Sequence, residues 1–501
     1  MNRNWSEQQE AIFNWFSEPD QNRALVIRAR AGTGKTTTVL EGANRAPEKS
    51  IIMCAFNKSV ATELQQKISN PNAEAKTLHS LGFNIVRRYW SNVRVVNGSE
   101  RVNSHAQKVA PNAPDEIVKQ IAKLATKGKE MAPMAWRHED LKDLAFEFDC
   151  VPDQEWEADG WDLKAVCEAA VKVMALAAEK DGMLDFADML YVPIRNKWVR
   201  GRYDLVIVDE AQDMNASQII LAQKSVNAGG RICVVGDDRQ AIYGFRGADS
   251  GSIDRLKSEL KAVELGLTIT YRCPKKVVAL AAKYVPDYRA ADAAPEGSLI
   301  GIQEPELVGL ANPGDFVLSR KNAPLASICL AILKSGKRAR IQGRDIGQGL
   351  IALVKRWKVN SMPVFLSRLA NWEEKECKRT LAGSVSQERA EQKIEQIRDR
   401  ADFIRAMAEG LSGVHELVAR IETLFEDNGL PAVRCSSIHR AKGLEAEVVY
   451  VLQDSFNVRQ WSGSQDPKLM ASRGLEEENL RYVAYTRAKA TLVLVHKPPV
   501  A

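Results

Sequence analysis

No stretch of the chain approaches the roughly 20 consecutive apolar residues that a bilayer-spanning helix needs, which argues against a membrane protein. The opening residues, MNRNWSEQQEAIFNWF, contain no apolar signal core, which argues against export and for a cytoplasmic location. The eight cysteines are scattered and none forms a C-x-x-C pair. That speaks against a zinc ribbon or a disulfide framework and fits a reducing compartment. An internal repeat and a long low-complexity tract are also missing. What remains is ordinary for a globular protein: 501 residues, 45% apolar and 27% charged, enough for roughly three or four domains. A net charge of +6 is compatible with a polyanionic partner without demanding one. Composition leaves the function open, and the motifs decide it.

The first informative unit is a short apolar strand, RALVIR at 23–28, followed by ARAGTGKTTTVLEGA, in which a glycine-rich turn opens a helix. Further apolar runs have the length of buried parallel strands: IIMCAF at 51–56, YDLVIVDE at 203–210 and RICVVGDD at 231–238. Helical patterns separate them, so the chain is expected to form a doubly wound α/β domain with its ligands at the strand ends. A second α/β set is expected from LGLTITYR at 265–272, GDFVLSR at 314–320, AEVVYVL at 446–452 and ATLVLVH at 490–496. Two stretches break the alternation and have helical composition. The expected layout is a first α/β domain from 1–89 and 181–262 with a helical insertion at 90–180. A second is expected from 263–349 and 429–501 with a shorter insertion at 350–428. The strongly charged segment 374–405 fits a solvated helical face better than a dedicated binding surface.

Ala29–Thr36, ARAGTGKT, resembles the phosphate-binding pattern G-x-x-x-x-G-K-[ST], with Ala29 in place of the first glycine. Glycines let backbone N–H groups converge on phosphate oxygens, and the N-terminus of the following helix favours negative charge. Residues Ala29, Arg30, Ala31, Gly32, Thr33, Gly34, Lys35, Thr36 and Thr37 form the candidate nucleotide loop. Lys35 would reach the terminal phosphates, and the Thr36 hydroxyl would ligate Mg2+. In Val206–Asp213, VIVDEAQD, an apolar strand ends in two carboxylates. Asp209 would hold the magnesium, and Glu210 would orient or deprotonate the attacking water.

Several further motifs occur in the order found in superfamily 1 DNA helicases of the UvrD/Rep/PcrA group, and the chain resembles that family from residue 5 to about 490, outside the two insertions. WSEQQEAI resembles its glutamine motif, with Gln8 at the position that reads adenine. CAFNKSVATEL at 54–64 and TLHSLG at 77–82 resemble its DNA-contacting segments, which implies DNA contacts at Phe56, Asn57, Thr77 and His79. LDFADML at 184–190 matches the segment preceding the acidic strand. VGDDRQAIYGFRGA at 235–248 is the most specific piece. There the resemblance implies that Gln240 senses the terminal phosphate while Tyr243, Phe245 and Arg246 contact a single strand. The family often has Asp where Arg239 stands and Trp where Phe245 stands; the second departure implies a smaller stacking platform. TYRCP at 270–274 implies that Tyr271 stacks on adenine and Arg272 reaches the γ-phosphate. SSIHRAKGLEAEVVYV at 436–451 implies a DNA contact at His439, with Gly443 near the γ-phosphate and Glu445 on the ribose. EEENLRYVAYTRAKA at 476–490 implies that Arg487 is an arginine finger.

The resemblance implies two RecA-like motor domains with ATP and Mg2+ between them. The expected activity is an ATP hydrolase that travels 3′ to 5′ on single-stranded DNA and acts at junctions of single strand and duplex. A translocase that strips proteins from single strands would share every motif, and a motor subunit of a repair or defence complex is compatible with them. A helicase–nuclease is disfavoured because only about a dozen residues follow Arg487. A scaffold retaining a dead nucleotide fold is disfavoured by Lys35, Glu210, Gln240 and Arg487.

Overall fold

A computed structural model of the chain describes residues 4–19, 22–96, 98–148, 150–152, 159–242, 252–383, 387–427, 429–456 and 467–498. The chain divides into two compact units, residues 1–30 with 34–267, and residues 31–33 with 268–501. Among the described residues, no helix is long and apolar enough to cross a membrane.

The first unit is built on β1 (Ala24–Ala29), β2 (Ile51–Ala55), β3 (Ala73–Thr77), the two-residue pieces β4 (Arg94–Val95) and β5 (Met183–Leu184), β6 (Tyr203–Val208), β7 (Val226–Gly236) and β8 (Val263–Leu267). Six of these form a parallel sheet in the order β3-β2-β6-β7-β1-β8. Side chains alternate across a strand, and here both faces are covered by helices, so successive residues enter different cores. Leu25 and Ile27 of β1 pack with Ile12, Phe16 and Val39 on one face, whereas Ala24 and Val26 pack with Leu78, Leu190 and Leu221 on the other.

The run at 265–272 differs from its sequence expectation. It is not one strand of the second set. Val263–Leu267 completes the first sheet beside β1, and only Ile269–Thr270 continues beyond it. Apolar content alone could not tell which sheet would claim it. Strand β3, AEAKT, has no counterpart among the expected strands, because an edge strand of small and polar residues lacks the continuous apolar run of a central one.

Between β3 and β6 the chain forms helices Leu78–Tyr89, Glu100–Val109, Asp115–Met131, Glu139–Glu147, Leu163–Ala177 and Phe186–Arg195. Most of them share a core that includes Val102, Ile121, Leu124, Leu141, Val166 and Val173. The parallel ladder β4–β5 ties together the two ends of this helical body. Gly82 lets Leu78–Tyr89 press on Phe186–Arg195, since a Cβ there would lie 2.1 Å from the Met189 carbonyl oxygen. A buried charge cluster fastens the body further. Lys129 Nζ lies 2.7 Å from Asp185 and 2.8 Å from Asp188, and Arg101 pairs with Asp188 and Asp181. Ser217, in the helix Ala216–Lys224, donates to the Lys129 carbonyl.

The second unit contains β9 (Ile269–Thr270), β10 (Arg289–Ala290), β11 (Ser298–Gln303), β12 (Phe316–Ser319), β13 (Ala339–Ile341), β14 (Val433–Ser437), β15 (Ala446–Leu452) and β16 (Ala488–His496). The last six form a second parallel sheet, β11-β16-β15-β12-β14-β13. Helices Arg344–Lys355, Met362–Gly383, Gln387–Ala408 and Val414–Phe425 fall between β13 and β14. Within the charged segment 374–405 the described residues are helical, and Gln387–Ala408 has an apolar stripe: Ala390, Ile394, Ile397, Ala401 and Ile404 are buried at helical spacing. The fold class is thus two parallel α/β sheets, each interrupted by helices.

Candidate nucleotide site

Parallel strands bring their C-terminal ends to one edge, and in the first sheet β1, β6 and β7 are neighbours. The three segments that follow them therefore meet. Ala29 is the last residue of β1, so the loop proper begins at Arg30. Gly32 and Gly34 adopt φ of 70° and 80°, a region closed to most side chains, and Gly34 caps the helix Lys35–Arg45 without a side-chain bond. The first amides of that helix thus face the loop with no side-chain oxygen engaging the cap. Residues Ala31, Gly32 and Thr33 group with the second unit.

Lys35 Nζ is 3.2 Å from Glu210 Oε2, and Thr36 Oγ1 donates to Asp209 Oδ2 at 3.0 Å. Thr37 is half-buried on the same turn. Glu210 stands at φ 53°, unusual for a residue with a side chain, and its carboxylate is gripped by Gln212 Nε2 at 2.5 Å. Gln212 is fully buried and its Oε1 accepts from the Asp237 backbone N–H. Gln240, just after β7, donates to Asp237 Oδ2 at 2.7 Å. One buried chain of bonds thus joins Glu210, Gln212, Asp237 and Gln240.

Charge in this pocket is unbalanced. Burial, then the neighbouring Glu210, pushes the Asp209 carboxyl up to about 6. Burial also raises Asp237, against the pull of Lys35 and Arg30. Burial works against the Lys35 ammonium, but Glu210, Asp237 and Asp209 outweigh it and hold its proton more tightly than usual. Carboxylates this reluctant to ionise suit a divalent cation. Thr36 and Asp209 offer two adjacent oxygens, as Mg2+ prefers when phosphate and water fill its other positions. Arg30 turns its side chain to Asp237 and Asp238 and donates its backbone N–H to the Leu267 carbonyl.

The structure also brings in residues to which the motifs assign no role. Gln8 is half-buried on the first helix, and its neighbour Gln9 donates to Thr38 of the loop's helix at 3.0 Å. The spacing of Ser6 and Gln9, a capping box, was the available signal. Gln212 and Asp237 sit inside recognised motifs, yet only their neighbours in space show what they do.

Candidate nucleic-acid residues are distributed over both units. In the first, Phe56 is exposed. Asn57 and Thr77 cap the helices Lys58–Lys67 and Leu78–Tyr89, accepting from Val60 N and Ser80 N. His79 meets the exposed Phe186 edge-on at 5.9 Å. Burial disfavours its charged form. Tyr243, Phe245 and Arg246 lie outside the described residues. In the second unit Tyr271 is exposed, Arg272 pairs with Glu445 at 2.6 Å, His439 is half-buried in the helix Ile438–Ala441, and Gly443 has φ 81°. Arg487 is buried, donating to the Val483 and Leu444 carbonyls, and burial with the nearby Arg272 lowers its pKa to about 10.

The sequence matches the UvrD/REP helicase N-terminal domain over residues 5–261 and the UvrD-like helicase C-terminal domain over residues 341–497. It is 24% identical to F-box DNA helicase 1 of Gallus gallus, over 98% of this chain and 49% of that protein. Against DNA helicase II of Rickettsia typhi it is 26% identical, over 52% of this chain and 42% of that protein. Against a probable DNA helicase of Mycoplasma pneumoniae it is 24% identical, over 95% and 80%. The chain spans about half or less of the length of the first two of these relatives. With one domain model covering more than half of the chain and a second covering much of the rest, and with the family's loop, acidic strand and glutamine meeting at one sheet edge, the chain belongs to the UvrD/Rep helicase family.

Proposed function

We propose that the chain is an ATP-driven DNA helicase that moves along single-stranded DNA, 3′ to 5′, and opens duplex at single-strand junctions. The observation that carries this reading is the cluster of Lys35, Thr36, Asp209, Glu210 and Gln240 around a loop with two left-handed glycines. ATP with Mg2+ supplies the phosphoryl group whose transfer to water drives the motor. Lys35 and the loop amides hold the phosphates. Thr36 and Asp209 hold the cation. Glu210, fixed by Gln212, orients the water and accepts its proton. Gln8 contacts adenine, with Tyr271 stacking on the ring and Glu445 on the ribose. Gly443 lies by the γ-phosphate, and Arg272 and Arg487 stabilise the charge that develops on it.

The chain of bonds from Glu210 to Gln240 supports coupling. Gln240 stands three residues before Tyr243 and five before Phe245, so a change at the phosphate is passed over a short tether to residues that grip DNA. Phe56, Asn57, Thr77, His79, Arg246 and His439 hold the strand by phosphate contacts and stacking, a mode that tolerates any sequence and weakens with salt. Strand displacement on duplexes with a 3′ or a 5′ single-stranded tail tests the reading. Mg2+–ATP should release the strand from the 3′-tailed substrate and leave the 5′-tailed one paired. Release from the 5′-tailed substrate alone would reverse the polarity. ATP-dependent displacement of a bound protein without unwinding would favour the translocase.

A further inference from the structure

The first unit carries a second cleft that the nucleotide site does not use. It lies between the helix Leu78–Tyr89 and the segment entering β6, has a volume of about 130 Å³, and is lined by Lys76, Arg88, Tyr89, Trp198, Arg200 and Arg202 among others. Tyr203, at the N-terminal end of β6, also lines it. Asp209 lies six positions after Tyr203 along the strand, which at ~3.3 Å per step puts the cleft roughly 20 Å from the candidate magnesium ligand. Arg88 and Tyr89 also stand ten helical residues or so beyond His79, a rise of about 15 Å.

The chemistry of the lining is specific. Four cations surround the opening. The nearby carboxylate, Glu74, is engaged by Lys76 and by the Tyr203 hydroxyl. Among the described residues no ion pair engages Arg88 or Arg200. Beside them stands an immobilised flat surface. The Tyr89 ring stacks on Trp198 with centroids 4.4 Å apart and planes 8° apart, and Trp90 holds Trp198 edge-on from another side at 5.4 Å. Tyr89 is nevertheless 48% exposed. A free phosphate or an acidic peptide would answer the arginines but leave the ring unused. A planar ring joined to a phosphate answers both.

We propose that this cleft takes a nucleotide of a bound DNA strand, with its base on Tyr89 and its phosphate at Arg88 and Arg200. It is a second nucleic-acid contact on the first unit, made by residues to which the motifs assign no DNA contact, and it rests on the reading that the chain grips single-stranded DNA. Fluorescence anisotropy with single-stranded oligonucleotides, repeated over a salt series, tests it on the full chain. The Arg88→Ala/Arg200→Ala variant should bind more weakly. Its slope of log K against log[salt] should be shallower by about 0.7 for each phosphate no longer neutralised. Tyr89→Ala should weaken binding by about fivefold or more, with Tyr89→Phe close to the unaltered chain. ATP hydrolysis without DNA should stay unchanged, because no phosphate ligand of the nucleotide site is touched. Tyr89→Ala also loosens Trp198, so the arginine pair is the deciding variant. Equal affinity and equal slope in that variant would overturn the cleft while leaving the motor reading intact. Failure of the unaltered chain to bind any single strand would overturn both.

Discussion

Lys129→Met removes the only ammonium in contact with both Asp185 and Asp188 among the described residues, inside a cluster where Lys129 and Asp188 have almost no exposure. At an effective dielectric of about 20, a charge pair at this separation is worth roughly 6 kcal/mol, and there are two such pairs. Desolvation offsets much of that, and breaking a buried pair by deleting one partner costs about 3–5 kcal/mol net. Methionine fills most of the space, so the loss reports charge rather than cavity. Urea unfolding followed by tryptophan fluorescence should show a lower midpoint with little change in slope. A second change, Asp185→Asn in the same chain, should recover part of the loss, because Asp188 keeps Arg101 whereas Asp185 has no other cation among the described residues. The penalty should also shrink on acidification. In the unaltered chain burial works against the Asp188 carboxylate, but Lys129 and Arg101 outweigh it and hold its pKa below the ordinary 3.8. Its contribution is therefore complete above that pH and is lost as pH falls through the lowered folded value. Without Lys129 most of that contribution is missing at every pH. A loss of no more than about 1 kcal/mol, the worth of an exposed pair, would refute the reasoning.

Glu210→Gln should lower ATP turnover by about 10²–10⁴ while leaving ATP binding in place, measured by steady-state hydrolysis and nucleotide titration; near-normal turnover would remove the acidic strand from the chemistry. Arg487→Ala should reduce hydrolysis by about 10³ or more. It should also lower the melting temperature, because the Leu444 carbonyl loses its Arg487 donor and the Val483 carbonyl keeps only the Thr486 hydroxyl; melting loss with hydrolysis within a few-fold would make Arg487 purely structural. Gly82→Ala drives a methyl group onto the Met189 carbonyl and should cost about 1–3 kcal/mol in thermal unfolding, and a neutral result would contradict the close helix approach. Glu264 is held at about 2, chiefly by its hydrogen bond from Arg28, against some burial. A lowered carboxyl stabilises above its ordinary 4.5 and ceases to as pH falls toward about 2, so Glu264→Gln should destabilise at neutral pH and match the unaltered chain near pH 2.

The candidate nucleotide site of the first unit was legible in the sequence because its residues are contiguous. Lys35 and Thr36 follow the glycines, and Asp209 and Glu210 end an apolar strand. Most central strands were legible as continuous apolar runs, but the internal β14, VRCSS, was not, because an arginine and two serines interrupt it. Edge strands were not. β3, and β11 with its exposed Leu299 and Ile300, carry no such run, and Val263–Leu267 could belong to either sheet until pairing decided it. The buried partners Gln9, Gln212 and Asp237 were illegible as site residues because a polar side chain shows its role only once its neighbours are in place. Asn57 and Thr77 show a related ambiguity, since the residue types that meet a phosphate also cap helices, and in this chain both do cap them.

The β4–β5 ladder has a consequence for chain length. Lys35 and Glu210 lie 175 residues apart, and about half of that span is the helical body whose ends the ladder closes. The entropy of bringing two points of a chain together grows only with the logarithm of the length between them, so halving or doubling that span changes the cost by about 0.6 kcal/mol. A two-residue clasp thus insulates the Lys35–Glu210 pair from whatever is strung between its halves. Helices in the body can be shortened, extended or exchanged at little expense to the spacing of Lys35 and Glu210, provided that Arg94–Val95 still meets Met183–Leu184.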